Sequence, residues 1–200
     1  MAARPAPAVV IPSFRFDPET HEYYLDDVLI PHITGMLEAT GYIDDEWFTE
    51  EACDRGTMVH RLAAEYDLGA ISDPRQVVCE YKGWFLAHVE AMRTVHPTWL
   101  HVETALASPQ HRFGGRPDRV GKVWGAWAVV DLKTGVPSKA TPIQTALQAI
   151  LVAPELHLPP AAIVRYELDV KENGKWRLFE HKAKSDFNEA YEVIRECTTA

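Results

Sequence analysis

One stretch of the sequence decides the fold, FGGRPDRVGKVWGAWAVVDLKTGVPSKATPIQTALQAILV, which runs from Phe113 to Val152. Near its centre an apolar strand carries an acid and a lysine two positions apart, Asp131 and Lys133. Because side chains alternate across a strand, these two groups project from the same face. A second carboxylate, Asp118, lies upstream at the end of another strand-like run. Two carboxylates and an amine at one sheet edge suit a hydrolytic metal site, since the acids hold a divalent cation and the cation and lysine activate water.

The acid–x–lysine triplet is not specific by itself, because the sequence contains four of them. They are Glu80-Tyr81-Lys82, Asp131-Leu132-Lys133, Asp169-Val170-Lys171 and Glu180-His181-Lys182. The first lies in a segment with helical spacing, where positions i and i+2 do not face each other. The last two end the strands of a predicted hairpin. Only the second follows a Pro-Asp pair and an apolar run and precedes an amphipathic helix. This context favours a catalytic role over the alternative, an exposed ion pair on a strand.

Length and composition indicate one globular domain. The chain has 200 residues, of which 46% are hydrophobic, and this suffices for a buried core. We assign the domain to residues 13–200 and predict that residues 1–12, which are broken by prolines, form a disordered arm and not a signal peptide. No apolar run has the length of a membrane span. The three cysteines have no C-x-x-C spacing, so we expect neither a disulfide framework nor a cysteine zinc site. We therefore expect the protein to be cytoplasmic.

The charge of the chain is unevenly distributed. The net charge is −9, which argues against a protein that coats DNA without specificity. Residues 107–140 nevertheless carry six basic side chains against two acidic ones, and the two acids are Asp118 and Asp131. The basic segment therefore coincides with the candidate metal site. This pattern indicates a localised site for a polyanion.

The spacing of apolar residues predicts an α/β fold with a mixed central sheet flanked by helices. A β-hairpin at 13–26 comes first, followed by a helix that ends at Gly41 and another that begins at Asp44. The other predicted helices are 55–69, 74–95, 142–151 and 185–197. The other predicted strands are 99–107, 113–123, 127–133, 161–170 and 175–181.

Four motifs resemble a known family. Pro117-Asp118 and Asp131-Leu132-Lys133 match the signature of the PD-(D/E)XK nuclease superfamily, and Gly56-x-x-x-His60 resembles the first motif of its RecB-like branch. Gln144 occupies the glutamine position of that branch's Gln-x-x-x-Tyr motif, whereas Gln148 stands where tyrosine is usual. The N-terminal hairpin, with the Pro-x-Ile-Thr step that follows it, resembles phage-type exonucleases of the superfamily. The resemblance covers roughly residues 13–190.

The resemblance implies a restriction-endonuclease-like core and a metal-dependent deoxyribonuclease, in particular an exonuclease of DNA recombination, repair or replication. Asp118, Asp131 and the Leu132 carbonyl would hold Mg²⁺ or Mn²⁺, with His60 as a further ligand. Lys133 would orient the attacking water, and Gln144 would position the nucleophile or the substrate. The residue-level alternative for His60 is an ordinary helix histidine that is packed against the core or half exposed.

Further side chains have supporting roles in this hypothesis. Glu103, in the predicted strand before the Pro-Asp pair, is either a partner of the metal ligands or simply exposed. The predicted substrate contacts are Arg112, Arg116, Arg119, Lys139 and Gln148. No iron–sulfur cluster is expected, because four thiolates are needed and the chain has three cysteines. The expected partners are DNA and a single-strand annealing protein or another recombination or replication factor, in a bacterial or phage-infected cell.

Two alternatives stay open from the sequence. One is an endonuclease or flap nuclease of the same fold, since end preference depends on the shape of the channel. The other is a non-catalytic nucleic-acid or protein-binding module on a degenerated nuclease fold. Degeneration usually removes the acids or the lysine first, and Asp118, Asp131 and Lys133 are all present.

Overall fold

The computed structural model describes residues 13–43, 49–136 and 138–198. The predicted arm at 1–12 and the helix start predicted at Asp44 lie outside these residues. The helices are α1 (Ile33–Ala39), α2 (Glu50–Asp67), α3 (Lys82–Val95), α4 (Thr141–Leu156) and α5 (Ser185–Thr198). The strands are β1 (Phe14–Asp17), β2 (Glu22–Leu25), β3 (Val28–Ile30), β4 (Thr98–Val102), β5 (Leu106–Ser108), β6 (Phe113–Gly115), β7 (Arg119–Val123), β8 (Ala126–Lys133), β9 (Val164–Val170) and β10 (Trp176–Glu180).

A five-stranded sheet in the order β10-β9-β8-β7-β4 forms the centre of the molecule. The β8–β9 pair is parallel and the other neighbours are antiparallel, so the sheet is mixed, as the sequence predicts. Strand β8 is central and covered on both sides, which explains its continuous apolar run from Ala128 to Val130. The two faces of β8 therefore contact different helices.

Helices cover both faces of this sheet. Val130 and Leu132 of β8 pack in one cluster with α2 and α3, whereas Val129 packs with α4 on the opposite face. Helices α1 and α5 share a further apolar cluster with α4. Because side chains alternate along a strand, Asp131 and Lys133 lie on the same face as Val129, towards α4. The observed architecture confirms the predicted α/β class.

The N-terminal hairpin is part of a three-stranded antiparallel sheet, β1-β2-β3, that packs directly on the core. A Cβ atom built on Gly114 would lie 2.4 Å from Cδ1 of Tyr23, and one built on Gly115 would lie 2.6 Å from Cδ1 of Ile33. The two glycines thus let β2 and α1 approach β6 more closely than any side chain allows.

Two predicted strands are each broken in the structure. The predicted strand 99–107 divides into β4 and β5 around Glu103, whose φ is +48°. The predicted strand 113–123 divides into β6 and β7 around Arg116, Pro117 and Asp118. Proline cannot donate a ladder hydrogen bond, which accounts for the second break. Strands β5 and β6 pair with each other outside the central sheet, and the two breaks lie side by side.

Two helix starts also differ from the prediction. Helix α2 begins at Glu50 and not near Arg55, because Thr49 caps it by accepting the N–H of Ala52 and two acids occupy its first turn. Gly56 and His60 consequently lie in the middle of a helix. Helix α3 begins at Lys82, so only the first part of the predicted helix 74–95, residues 74–81, is instead a short 3₁₀ turn and irregular chain.

Gly114→Ala should destabilise the protein by about 1–3 kcal/mol, because the added methyl group overlaps the buried Tyr23 ring. The matched control is Gly135→Ala, since a Cβ at Gly135 has no atom within 4 Å. Chemical denaturation of both variants checks this expectation. Equal stability of the two variants would contradict the close packing of the N-terminal sheet on β6.

Candidate active site

Neighbouring strands bring the two acids together. The last ladder pair of β7 and β8 at this end is Arg119 with Val130, and Asp118 and Asp131 are the next residues outward. Asp118 is 8% exposed and Asp131 is 1% exposed. The Oδ2 atom of Asp118 accepts the backbone N–H of Leu132 at 2.7 Å, which fixes the first carboxylate on the strand that carries the second.

Two glutamines and the lysine surround Asp131. Lys133 Nζ lies 2.7 Å from Asp131 Oδ2 and donates to Gln144 Oε1 at 3.1 Å. The amide nitrogens of Gln144 and Gln148 both donate to Asp131 Oδ1, at 2.9 and 3.1 Å. One helical turn separates these glutamines on α4, so one face of the helix donates two hydrogen bonds to the Asp131 carboxylate. Asp131, Lys133 and Gln144 form one hydrogen-bonded unit, as the sequence leads one to expect.

Helix α2 supplies His60 from the other side of the sheet edge. Its Nε2 atom lies 2.9 Å from the carbonyl oxygen of Leu132, and its Nδ1 atom lies 3.5 Å from Asp118 Oδ1 and 3.4 Å from Glu103 Oε1. Gly56 is not needed for this approach, because the nearest atom to a Cβ built there is Thr134 Oγ1 at an ordinary 4.0 Å. The contact is made by the imidazole itself.

Glu103 joins this group although it lies in a break between strands. Its backbone N–H donates to the carbonyl of Asp118 at 3.0 Å, which keeps it beside the acid after β4 has ended. His60, Glu103 and Asp118 offer ligand atoms that all lie within 4.8 Å of one another. Glu103 thus lies as close to His60 as Asp118, a predicted ligand, does.

The ionisable groups of the site shift one another's pKa values. Burial alone would lower the pKa of His60, but Asp118 and Glu103 outweigh burial and raise it to about 10. Burial alone would raise the pKa of Asp118, and His60, Lys133 and Arg119 instead hold it below its usual value. Burial raises the pKa of Asp131, Asp118 adds to this effect, and Lys133 opposes it. The site therefore favours a positive charge next to Asp118.

A divalent cation fits this arrangement. His60 Nδ1 lies close to the carboxylates of both Glu103 and Asp118, and a metal ion held by these three side chains would take the place of the proton on that nitrogen. One nitrogen donor among oxygen donors is a mixed set, which suits Mn²⁺ better than Mg²⁺.

A buried ion network lies behind Glu103 and Asp118. Arg119 Nε is 2.5 Å from Asp67 Oδ2, and its Nη1 donates to the Asp118 carbonyl at 2.7 Å and lies 3.6 Å from Glu103 Oε1. His88 Nε2 lies 3.0 Å from the same oxygen of Asp67. The side chains of Asp67, His88 and Arg119 are each at most 2% exposed. Arg119 therefore binds groups inside the protein, namely the Asp118 backbone and the carboxylates of Asp67 and Glu103.

The site opens into a cavity of about 610 Å³ between α2 and the N-terminal sheet. Its floor includes His60, Glu103, Asp118 and both glutamines. Arg116 lines it as well, with Nε 3.2 Å from Glu103 Oε2.

The other predicted substrate contacts are distributed differently. Arg112 and Lys139 are exposed but do not line the cavity. Arg119 is buried in the ion network, and Gln148 reaches the cavity while its amide is bonded to Asp131. Of the four predicted basic contacts, Arg116 is the one that lines the cavity.

Sequence reasoning missed Asp67 and His88 and underrated Glu103. For Asp67 a signal existed, because it lies seven residues after His60 and thus on the same face of α2. His88 shares no local pattern with the site and could not be found from spacing. Glu103 depends on a strand break that alternation of side chains does not indicate.

The chain matches a known family over most of its length. The sequence profile of the PD-(D/E)XK nuclease superfamily aligns with residues 45–199. The chain belongs to this superfamily. A crystal structure described as "Putative exonuclease" from Eubacterium rectale aligns with a TM-score of 0.45 and 13% identity, over 81% of this chain and 69% of that chain. We draw no conclusion from a likeness at that level. No curated protein matches the chain in sequence.

Membership confirms the resemblance read from the four motifs. The protein is a nuclease, a hydrolase that acts on nucleic acids, of a superfamily that typically uses divalent metal ions. Its cluster of His60, Glu103 and Asp118 offers ligand atoms that could hold such an ion. Within the described part of the chain, no helix is both long and apolar enough to cross a membrane.

Asp67→Ala should lower the free energy of unfolding by about 3–5 kcal/mol, because it leaves the buried Arg119 without its carboxylate. The control is Glu192→Ala, which removes a carboxylate from the exposed ion pair with Arg195 and should hardly change the melting temperature. Thermal and urea denaturation measure both effects. A similar small loss in the two variants would show that the buried network does not stabilise this end of the sheet.

Proposed function

We propose that the protein is a metal-dependent DNA exonuclease that hydrolyses phosphodiester bonds in the cavity above Asp118 and Asp131. One observation carries this proposal. Residues from four separate segments, namely α2, the β6–β7 break, β8 and α4, converge on a single hydrogen-bonded cluster. The ion-pair alternative for Asp131 and Lys133 requires no such convergence.

The metal-binding residues follow from the donor geometry. His60, Glu103 and Asp118 would hold one divalent cation, Mg²⁺ or Mn²⁺, with Asp131 and the Leu132 carbonyl next to them. The hydrogen bond from the Leu132 N–H holds one oxygen of Asp118 in place, while the other faces His60. When bound, the cation would supply Lewis-acid stabilisation of the phosphate and lower the pKa of a water molecule.

Lys133 supplies the fixed positive charge of the site. Burial alone would lower the pKa of Lys133, but Asp131 and Asp118 outweigh it and raise that pKa, so the amine stays protonated. A protonated amine held by Gln144 and Asp131 can donate to a non-bridging phosphate oxygen and orient the attacking water. Gln144 acts as the positioning group, because it bonds to both the lysine and the acid.

The shape of the cavity supports a strand end as the substrate. The scissile phosphate has to reach the floor between α2 and the N-terminal sheet, which a free or flexible strand does more easily than continuous duplex. Arg116 would contact a phosphate at the floor, and Arg112 and Lys139 would contact the chain farther out. Arg119 would instead hold Glu103, and Gln148 would hold Asp131.

The resemblance of the sequence to phage-type exonucleases supports a setting in DNA recombination, repair or replication. In this setting we expect the protein to act in the cytoplasm of a bacterial or phage-infected cell. A single-strand annealing protein or another recombination or replication factor would be its protein partner.

Asp118→Asn, Asp131→Asn and Lys133→Ala should each lower the rate of DNA cleavage by at least about 10²–10³-fold, because each removes a charge that the transition state requires. The control is Lys182→Ala, which breaks the exposed acid–x–lysine pair with Glu180 and should leave the rate unchanged. Linear and circular DNA are incubated with Mn²⁺, Mg²⁺ or EDTA.

We expect digestion of linear DNA with either metal and none in EDTA. Full activity in EDTA, or normal digestion by Asp131→Asn, would refute the proposed chemistry. Cleavage of covalently closed circles at a similar rate would show that the protein is an endonuclease with the same catalytic residues and not an exonuclease.

A further inference from the structure

The wall of the cavity opposite α2 is formed by two histidines of the N-terminal sheet and its connection to α1. His21 and His32 line the same cavity as His60 and Asp118, although neither belongs to the cluster of candidate metal ligands. Their rings lie 5.4 Å apart at an interplanar angle of 83°. The two imidazoles therefore form a right-angled corner that faces the candidate catalytic groups across the cavity.

Two aromatic side chains, Tyr23 and Phe16, pack against the corner and hold it in place. Tyr23 is 1% exposed, and its ring stacks on His32 at 5.8 Å and 25° and meets His21 edge-on at 5.5 Å. Phe16 packs against the other side of His21 at 5.4 Å. An aromatic surface held in this way loses little side-chain entropy when a ligand stacks on it.

Both rings favour a neutral state. Burial lowers the pKa of His32, and burial together with the nearby Arg116 lowers that of His21. His32 Nδ1 accepts the N–H of Gly35, so the neutral ring carries its proton on Nε2 and is a donor there. Neutral imidazoles do not attract phosphate by charge, whereas they stack on planar rings and hydrogen-bond to their edges.

Positive charge lies beside the corner and not within it. Arg116 lines the cavity between the corner and Glu103 and is exposed enough to contact a phosphate. A nucleotide has a matching arrangement: its charged phosphate suits Arg116, and the planar uncharged base next to it suits the two neutral imidazoles. With its phosphate at Arg116 and the acids, the base of that nucleotide extends towards His21 and His32.

We propose that His21 and His32 form a nucleobase subsite, which holds the base of an unpaired nucleotide next to the scissile phosphate. This inference rests on the proposed nuclease function and adds the substrate class, a strand that is single-stranded at the site of cleavage. A base can offer its face to an imidazole only when it is unpaired and unstacked. The cavity volume of about 610 Å³ lies in the range of sites for small ligands, which suits a single nucleotide.

The structure permits a variant that removes both rings and keeps the backbone. His21 has a φ of +57°, a conformation that asparagine tolerates, so His21→Asn avoids the strain that most residues would cause. His32 caps α1 through its side chain, and asparagine is a good cap at that position. The double variant His21→Asn/His32→Asn thus keeps the turn and the cap. His111→Asn, a histidine outside the cavity that also packs on aromatic rings, is the matched control.

The test measures binding of a fluorescent single-stranded oligonucleotide by anisotropy, in Mn²⁺ and in a Lys133→Ala background that blocks cleavage. A second oligonucleotide lacks the base at its terminal nucleotides but keeps every phosphate. We expect removal of the bases to weaken binding by about 10–100-fold when the corner is intact, because base stacking accounts for that range. In the double variant the two oligonucleotides should bind equally, and His111→Asn should behave like the parent.

Thermal melting establishes that the variants are folded. The inference is overturned if the double variant still distinguishes the two oligonucleotides, or if the parent never does. It is also overturned if blunt duplex binds as tightly as the single strand. Because binding is measured without turnover, a protein that binds bases at the corner but cleaves no DNA would refute the nuclease proposal alone.

Discussion

Two buried carboxylates, Asp118 and Asp131, lie side by side at the ends of neighbouring strands. The arrangement of the side chains around them depends on compensating the negative charge of both. Asp118 and Asp131 repel each other in a place that water hardly reaches, which is a costly situation for an ion. Asp118 is compensated by a backbone N–H and an imidazole, and Asp131 by an amine and two amides. A site that collects so many donors around two acids is well suited to accept a divalent cation.

The fold divides this task between its layers. The central sheet aligns the acids, α4 contributes the glutamines from one face, and α2 reaches the edge of the sheet with His60. Behind them, Arg119 links Asp67 to Glu103 and to the Asp118 backbone, so that the ion network and the site share one arginine. The N-terminal sheet closes the cavity opposite α2, and Gly114 and Gly115 allow it to pack there.

Much of this could be predicted from the sequence where the pattern is local. Asp118, Asp131, Lys133 and Gln144 lie within 27 residues of chain in which strand alternation and helical spacing hold, and their arrangement follows directly. His60 required a motif, because no local rule connects it with β8. Helix α2 begins earlier than the predicted position near Arg55, although Thr49 and the acids after it are an ordinary helix start signal.

The rest depends on irregular backbone and on long-range pairing. Glu103 acquires its position from a residue with positive φ between two strands, and the pattern of apolar residues predicts continuous strand there. His88 and Asp67 meet through the packing of α2 against α3, which no spacing encodes. The corner of His21 and His32 likewise forms only when the strands of the N-terminal sheet bring the two residues together.

The most direct test of the metal site is the position of Mn²⁺ in crystals of the protein, located by its anomalous scattering. We predict one strong peak coordinated by His60, Glu103 and Asp118, and its loss in crystals of His60→Ala grown under the same conditions. A peak elsewhere, or an unchanged peak in His60→Ala, would contradict the assignment of this cluster as the metal site. The absence of any peak at millimolar Mn²⁺ would contradict a metal-dependent mechanism at these residues.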